Sequence, residues 1–184
     1  MRLHHLALPI AVLASFLASC GGGGPAATPG AGTTSTPQAS APATPALSSA
    51  IRAIDFSQPP YVTELTRRAG GGEVPRDRVR YADLDKDGAE EAVVVVESGG
   101  TLGDIGFAIY HVGASGPSLA YFRKLAGNVD IRESSVVITE GAPGPSDPAC
   151  CPKQLHETTV GWRNGTFDVT AEQTVPNPAA GPAS

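Results

Sequence analysis

The sequence predicts an α+β, mostly β domain, and three observations support this prediction. From residue 78 onward, apolar side chains recur with period two, which is typical of strands. Short segments rich in glycine, proline and asparagine separate these runs and leave no room for the long crossover that parallel strands require. Helical spacing occurs only before Gly70. We therefore expect one or two short N-terminal helices followed by an antiparallel meander of about seven strands, folded as a twisted sheet or a small sandwich.

Two short helices are predicted at the start of the domain. The first lies within Leu47–Phe56, where Leu47, Ile51 and Ile54 recur at helical spacing. The second begins near Pro60, because proline is favoured at the first helical position, and it ends before a run of three glycines.

The strands are predicted from alternating or continuous apolar runs bounded by turn residues. Gly106 is a candidate β-bulge, and the pair Gly127-Asn128 indicates a chain reversal. Asn164-Gly165 is the strongest hairpin signal in the chain. A long proline-rich loop spans Gly141–Lys153. Arg78–Tyr81 alternates and leads into an acidic loop. The predicted strands after that loop are Ala92–Glu97, Ile105–Val112, Ser118–Leu125, Val129–Glu133, Ser135–Glu140, Gln154–Arg163 and Thr166–Thr174.

The N-terminus has the layout of an export signal. A weakly basic start is followed by the apolar run Leu6–Leu17, which is shorter than the roughly 20 residues that span a bilayer. The run ends in Leu17-Ala18-Ser19-Cys20, which resembles the bacterial lipobox. The resemblance implies that residues 1–19 are a lipoprotein signal peptide and that Cys20 is the lipidation site. The alternative is an ordinary secretory peptide with an incidental cysteine.

Two segments flank the predicted globular domain, which covers residues 47–175. Residues 20–46 follow the lipobox, and Gly21–Ala46 contains no Asp, Glu, Lys or Arg. Such a stretch of Gly, Pro, Ala, Thr and Ser buries too little surface to offset its conformational entropy, so we expect a disordered tether. Residues 176–184 are predicted to form a second disordered tail.

The charge balance argues against one class of partner. The formal net charge is −5, and no basic patch of the kind that neutralises phosphates is present in the sequence. We therefore expect no nucleic-acid binding. The expected location is the extracytoplasmic face of a bacterial cell membrane, where several acyl chains on one residue give a stable anchor.

The acidic loop before the predicted strand Ala92–Glu97 is the candidate metal site. Gly88 occupies the sharp-turn position of a calcium-type loop, but Val94 stands where an EF-hand has a bidentate Glu, so an EF-hand is excluded. The spacing instead resembles calcium loops of integrin-type and other β-repeat proteins. The alternative is a tight polar turn whose carboxylates stay in solvent. The candidate Ca²⁺ ligands at alternate positions are Asp83, Asp85, Asp87, the Ala89 carbonyl and Glu91.

Two adjacent cysteines form the second unusual feature. Adjacent Cα atoms lie about 3.8 Å apart, below the usual disulfide range of about 4.4–6.8 Å, so a disulfide between Cys150 and Cys151 is strained and reducible. We interpret the pair as a rigid structural turn or a vicinal disulfide. The alternatives are a redox role and a zinc site that includes His111 or His156.

The order of these features resembles the LppP/LprE-type lipoproteins of actinobacteria and related bacteria. The resemblance covers roughly residues 50–170. It rests on the lipobox and the uncharged tether, followed in order by Tyr81–Val94, Ser98–Thr101, Asp147–Pro152 and a last hairpin that contains Trp162. It implies an exported cell-envelope lipoprotein and supplies no catalytic residues. No cysteine precedes Cys150 in the domain, so a disulfide to an earlier strand is unavailable.

Three functional hypotheses follow. The first is an exported, membrane-anchored lipoprotein whose small non-enzymatic β-rich domain binds an envelope protein, a glycan or a small ligand, or has a role in envelope structure. The second is a calcium-stabilised binding module that uses the Asp83–Glu91 loop. The third is a hydrolase or redox protein with a site that is not visible in the sequence.

Overall fold

A seven-stranded antiparallel sheet in meander order dominates the computed structural model, which describes residues 45–148 and 150–180. The predicted signal peptide, Cys20 and the tether up to residue 44 lie outside the described residues. Within the described part of the chain, no helix has the length and apolar character needed to cross a bilayer.

The described elements confirm the mostly β fold class with short N-terminal helices. A 3₁₀ turn, Arg76–Arg78, precedes the first strand. The strands form one curled sheet, in which each strand pairs with its sequence neighbours. The elements are α1 (Pro45–Arg52), α2 (Tyr61–Ala69), β1 (Val79–Ala82), β2 (Glu91–Glu97), β3 (Asp104–Gly113), β4 (Gly116–Arg132), β5 (Ser135–Gly141), β6 (Gln154–Arg163) and β7 (Thr166–Pro176).

The curl gives the sheet two buried faces. Strand β2 contributes to both, because its side chains alternate between them and nearly all are buried. The inner core joins residues from β2 through β7, so the curl brings distant strands together; its members are Leu84, Val93, Val95, Phe107, Ile109, Leu125, Val129, Val136, Ile138, Val160 and Phe167. The outer core consists of Ile51, Phe56, Leu65, Ala69, Val74, Ala92, Val94, Val96, Ala108 and Tyr110.

The helical segment covers the outer face of the sheet. Ile51 of α1 and Leu65 of α2 are fully buried against β2 and β3. Phe56 lies between the helices, with its ring centroid 4.9 Å from that of Tyr61 and 4.9 Å from that of Tyr110. This packing explains why a short segment before the sheet folds, since an isolated helix of this length is unstable in water.

The predicted reversal at Gly127-Asn128 is wrong. The two strands expected on either side of it form one 17-residue strand, β4. Gly127 lies opposite Asp104 of β3 and Glu140 of β5, where β4 passes between its two neighbours. A Cβ atom at Gly127 would lie 2.1 Å from the Thr139 carbonyl oxygen. The glycine therefore permits a close approach of two strands and does not serve a turn.

The Asn164-Gly165 prediction is confirmed. Arg163 pairs with Thr166, which leaves a two-residue loop between β6 and β7. Asn164 has φ 54° and Gly165 has φ 82°, as a type I′ turn requires. The register of β3 against β4 also shifts between Asp104 and Gly106, where a bulge was expected.

A candidate cation site and an adjoining pocket

The acidic loop connects β1 to β2 and brings three of its carboxylates together. One carboxylate oxygen each from Asp83, Asp85 and Glu91 lies within 4.8 Å of the others. The Asp87 carboxylate instead accepts a hydrogen bond of 2.7 Å from the Ala89 N–H. Three of the five predicted ligands therefore form a compact oxygen cluster at the end of the sheet.

Local hydrogen bonds explain the shape of this loop. The Asp87 N–H donates to Asp85 Oδ1 at 3.0 Å, and the Gly88 N–H donates to Asp83 Oδ2 at 3.1 Å. Lys86 and Gly88 both have positive φ, 64° and 88°, which turns the backbone tightly around the carboxylates. Aspartate and glycine favour such turns, so the loop geometry follows from the sequence of the loop itself.

Glu91 is the most buried carboxylate of the cluster. It begins β2 and is 2% exposed, and its Oε2 accepts a hydrogen bond of 2.8 Å from the Leu84 N–H. Burial, with a smaller contribution in the same direction from the nearby charges of Asp85 and Asp87, raises the pKa of Glu91 to about 7. Burial also raises the pKa of Asp85. The protein thus holds two carboxylates, Asp85 and Glu91, where ionisation is unfavourable.

One oxygen in this cluster has no partner within the described structure. Asp83 Oδ1 is buried and makes no hydrogen bond. Carboxylate oxygens are the ligands that Ca²⁺ prefers, at about 2.3–2.6 Å and with six to eight oxygens in total. The donor set of Asp83, Asp85 and Glu91 therefore fits a hard divalent cation, with backbone carbonyls or water completing the shell.

A pocket of about 180 Å³ adjoins the acidic loop. Three distant parts of the chain form it: the loop, the end of β3 and the β6–β7 hairpin. Trp162 is 40% exposed there, and its ring packs edge-on against Phe167 at 4.8 Å. The pocket is lined by Asp85, Asp87, Ala89, Glu90, Glu91, His111, Val112 and Trp162.

The sequence did not predict this pocket. His111 is expected to be an ordinary strand residue, and in the structure its Nε2 lies 2.7 Å from the Ser118 hydroxyl. It reaches the acidic loop because β2 and β3 are neighbours, whereas Trp162 arrives from β6 through the curl of the sheet. No local sequence signal encodes that curl, so the pocket was not predictable from motifs.

The two adjacent cysteines lie far from this cluster in the chain, in the loop between β5 and β6. Both are exposed, and their Sγ atoms are 2.8 Å apart without a bond. Among the described residues, neither His111 nor His156 joins them in a group of metal ligands. His156 Nε2 instead lies 3.8 Å from Glu172. The zinc alternative therefore stays a prediction without a cluster of possible ligands among the described residues.

A buried ion pair at Asp104, one residue before the predicted strand Ile105–Val112, was not predicted from the sequence. Asp104 begins β3 and is 3% exposed. Its Oδ1 accepts a hydrogen bond of 2.5 Å from Arg78 Nη2, and its Oδ2 accepts one of 2.7 Å from the Val129 N–H. Arg78 Nε also lies 2.6 Å from Glu97 Oε1. This network connects the 3₁₀ turn before β1 to β2, β3 and β4, and it serves the fold.

Comparisons with known proteins give no assignment for this chain. No protein-family model, no curated protein and no solved structure matches it. The proposals below therefore rest on the sequence and on the geometry just described.

Proposed function

We propose that the chain is an exported lipoprotein, anchored through Cys20 to the extracytoplasmic face of a bacterial membrane. Its β-rich domain acts there as a non-enzymatic binding module. The observation that supports the anchor is the sequence Leu17-Ala18-Ser19-Cys20 at the end of an apolar run that is too short to span a bilayer. The resemblance to LppP/LprE-type lipoproteins supports the same location.

The pocket beside the acidic loop supports the binding role. It combines carboxylates with the exposed tryptophan Trp162. Small-ligand sites commonly combine an aromatic surface with a few polar groups that fix orientation. A glycan, a small ligand or a loop of an envelope protein is the proposed occupant.

The anchor is tested by expression in a bacterial host, followed by membrane fractionation and mass spectrometry of the mature N-terminus. We expect a chain that begins at Cys20, carries acyl groups there and sediments with membranes. The Cys20→Ser variant is expected in the soluble fraction, whereas the matched control Cys150→Ser stays with the membranes. An unmodified Cys20 in the wild-type chain would refute the proposal.

The second candidate function is a calcium-stabilised module. It is supported by the approach of Asp83, Asp85 and Glu91 within 4.8 Å and by the unpartnered, buried Asp83 Oδ1. A cation would supply the missing partner and offset the repulsion among the carboxylates. Its position in a connecting loop favours a bracing role over chemistry.

Thermal unfolding with calcium and with chelator tests this candidate. Extracellular calcium modules often bind at about 10⁻⁴–10⁻³ M, so 5 mM calcium is expected to add roughly 1–2 kcal/mol of stability. This corresponds to an increase in Tm of about 2–6 °C. The Asp83→Asn and Asp85→Asn variants should lose the increase, whereas Asp77→Asn, an exposed residue outside the loop, should keep it. The same Tm in calcium and chelator would exclude the site.

A further inference from the structure

The two adjacent cysteines are positioned for reaction with each other. Both side chains are exposed, and 2.8 Å separates Cys150 Sγ from Cys151 Sγ. The contact with the Cys150 thiol raises the pKa of Cys151, which is the direction expected when the two thiols share one proton. Because both residues are exposed, external thiols and disulfides can approach the pair.

The surrounding loop is held in place without a sulfur–sulfur bond. Asp147 Oδ2 accepts hydrogen bonds from the Gly144 N–H at 3.0 Å and the Lys153 N–H at 3.1 Å. Asn177, which follows β7, donates through its side-chain amide to the Pro152 carbonyl and through its N–H to the Lys153 carbonyl, both at 2.8 Å. These contacts fix the loop on both sides of the cysteine pair.

The base of the loop and the cysteine turn have their own hydrogen bonds. The Ala142 N–H donates to the Gln154 carbonyl at 3.0 Å, where the loop joins β5 to β6. The Cys151 N–H donates to the Pro148 carbonyl at 3.0 Å. A disulfide is therefore not needed to hold this loop in shape.

A disulfide between adjacent residues also contributes little stability. It closes a loop with no intervening residues, so it removes little conformational entropy from the unfolded chain. Its short Cα separation strains the bond and makes it easier to reduce. Strained and exposed disulfides are the labile ones, whereas structural disulfides resist reduction by glutathione.

We propose that Cys150 and Cys151 form a reversible dithiol–disulfide site that exchanges with external thiols and disulfides. In oxidation, the thiolate of one cysteine attacks an external disulfide, RSSR, and releases one RSH as a mixed disulfide forms. The second cysteine then attacks the protein sulfur of that mixed disulfide, closes the Cys150–Cys151 bond and releases the second RSH. The two cysteines thus lose two electrons, which RSSR gains as it is reduced to two molecules of RSH. In the reverse direction, two molecules of RSH reduce the Cys150–Cys151 disulfide. The site operates independently of the anchor and of the acidic loop.

The test uses the full chain in detergent, equilibrated with glutathione buffers of different reduced-to-oxidised ratios. Free thiols are blocked with an alkylating agent before tryptic digestion. The tryptic peptide 133–153 contains both cysteines and excludes Cys20. In the most oxidising buffer we expect an unalkylated peptide that is two hydrogen atoms lighter than the reduced peptide. As the share of reduced glutathione rises, a doubly alkylated peptide should gradually replace it. Thermal unfolding of the oxidised and reduced forms should give the same Tm.

Two results would overturn the proposal. A disulfide that survives every glutathione ratio, with a lower Tm after reduction by dithiothreitol, would identify a structural bond. A peptide that stays doubly alkylated, or carries glutathione on both cysteines, in fully oxidised glutathione would show that the ring does not close.

Variants separate the proposed steps. Cys150→Ser and Cys151→Ser each leave one thiol, so each is expected to accumulate one glutathione on this peptide as the trapped mixed disulfide. The Cys150→Ser/Cys151→Ser double variant should keep the wild-type Tm, whereas Asn177→Ala should lower it by removing a contact that holds the loop. A double variant with a lower Tm than Asn177→Ala would show that a sulfur–sulfur bond, and not the hydrogen bonds, stabilises the loop.

Discussion

At the scale of single residues, the burial of Asp104 makes its partners decisive for stability. Its carboxylate is almost completely removed from solvent and depends on Arg78 Nη2 and the Val129 N–H for compensation. Removing one partner of a buried pair leaves an uncompensated charge, which destabilises a protein far more than the loss of an exposed pair. The chain contains an exposed pair for comparison, Arg80 with Asp130 at 2.9 Å.

The first prediction compares these two arginines. Arg78→Ala is expected to lower the free energy of unfolding by about 2–4 kcal/mol, because Asp104 stays buried without its cation. Arg80→Ala is expected to lower it by less than about 1 kcal/mol. Urea denaturation of the two variants and the wild type measures both values. Equal losses would show that the Asp104 pair is no more important than an exposed one.

The second prediction concerns Glu91 and pH. Burial raises its folded-state pKa from 4.5 to about 7, so the folded chain retains a proton that the unfolded chain releases. The resulting stabilisation is fully present below about pH 4.5 and is lost as the pH rises to about 7. In chelator, we expect the free energy of unfolding to fall by roughly 1–3 kcal/mol across this window because of Glu91.

The Glu91→Gln variant is the control for this pH dependence. Its side chain does not ionise, so the difference in stability between pH 5 and pH 8 should shrink by the contribution of Glu91. Urea denaturation at the two pH values provides the measurement. If the stability of the variant depends on pH as strongly as that of the wild type, groups other than Glu91 cause the pH dependence.

At the scale of elements, two pairs of glycine and asparagine had opposite outcomes. Asn164-Gly165 forms the expected turn, because both residues have the positive φ of a type I′ hairpin. Gly127-Asn128 lies inside β4 and continues the strand. The residue types are the same, but their order differs, and only a contact with β5 explains Gly127. Local sequence therefore predicted the first pair and not the second.

The third prediction tests the close approach at Gly127. In Gly127→Ala, the new methyl group would lie 2.1 Å from the Thr139 carbonyl oxygen, so the backbones of β4 and β5 must separate. We expect a loss of about 2–3 kcal/mol in the free energy of unfolding. Gly113→Ala is the matched control, since a Cβ atom there has no neighbour within 4 Å at the end of β3. Similar Tm values for the two variants would contradict this interpretation.

In the candidate site too, local sequence predicted one part, the carboxylate cluster, and not the other, the neighbouring tryptophan. The spacing of Asp83, Asp85 and Glu91 predicted a carboxylate cluster, because turn-forming residues shape that loop locally. The neighbouring Trp162 comes from a strand that pairs only with β5 and β7. Its place beside the loop depends on the curl of the whole sheet, which no single motif determines.

At the scale of the whole molecule, both cores lie between residues 51 and 167. Strand β2 needs cover on two faces: the rest of the curled sheet covers the inner one, and the helical segment covers the outer one. Ile51 and Phe56 provide much of that outer cover and are themselves almost completely buried. The segment before α2 is thus an integral part of the fold.

The fourth prediction follows from this arrangement. A chain of residues 45–180 is expected to unfold cooperatively at the Tm of the full chain, because it contains every core residue that the structure describes. A chain of residues 61–180 loses Ile51 and Phe56 and uncovers the outer face of β2. Deleting one such buried side chain costs about 2–5 kcal/mol, so losing both removes much of the roughly 5–15 kcal/mol that stabilises a domain. We expect a Tm many degrees lower or no cooperative transition in calorimetry, and equal Tm values for the two truncations would show that the sheet is stable without its helical cover.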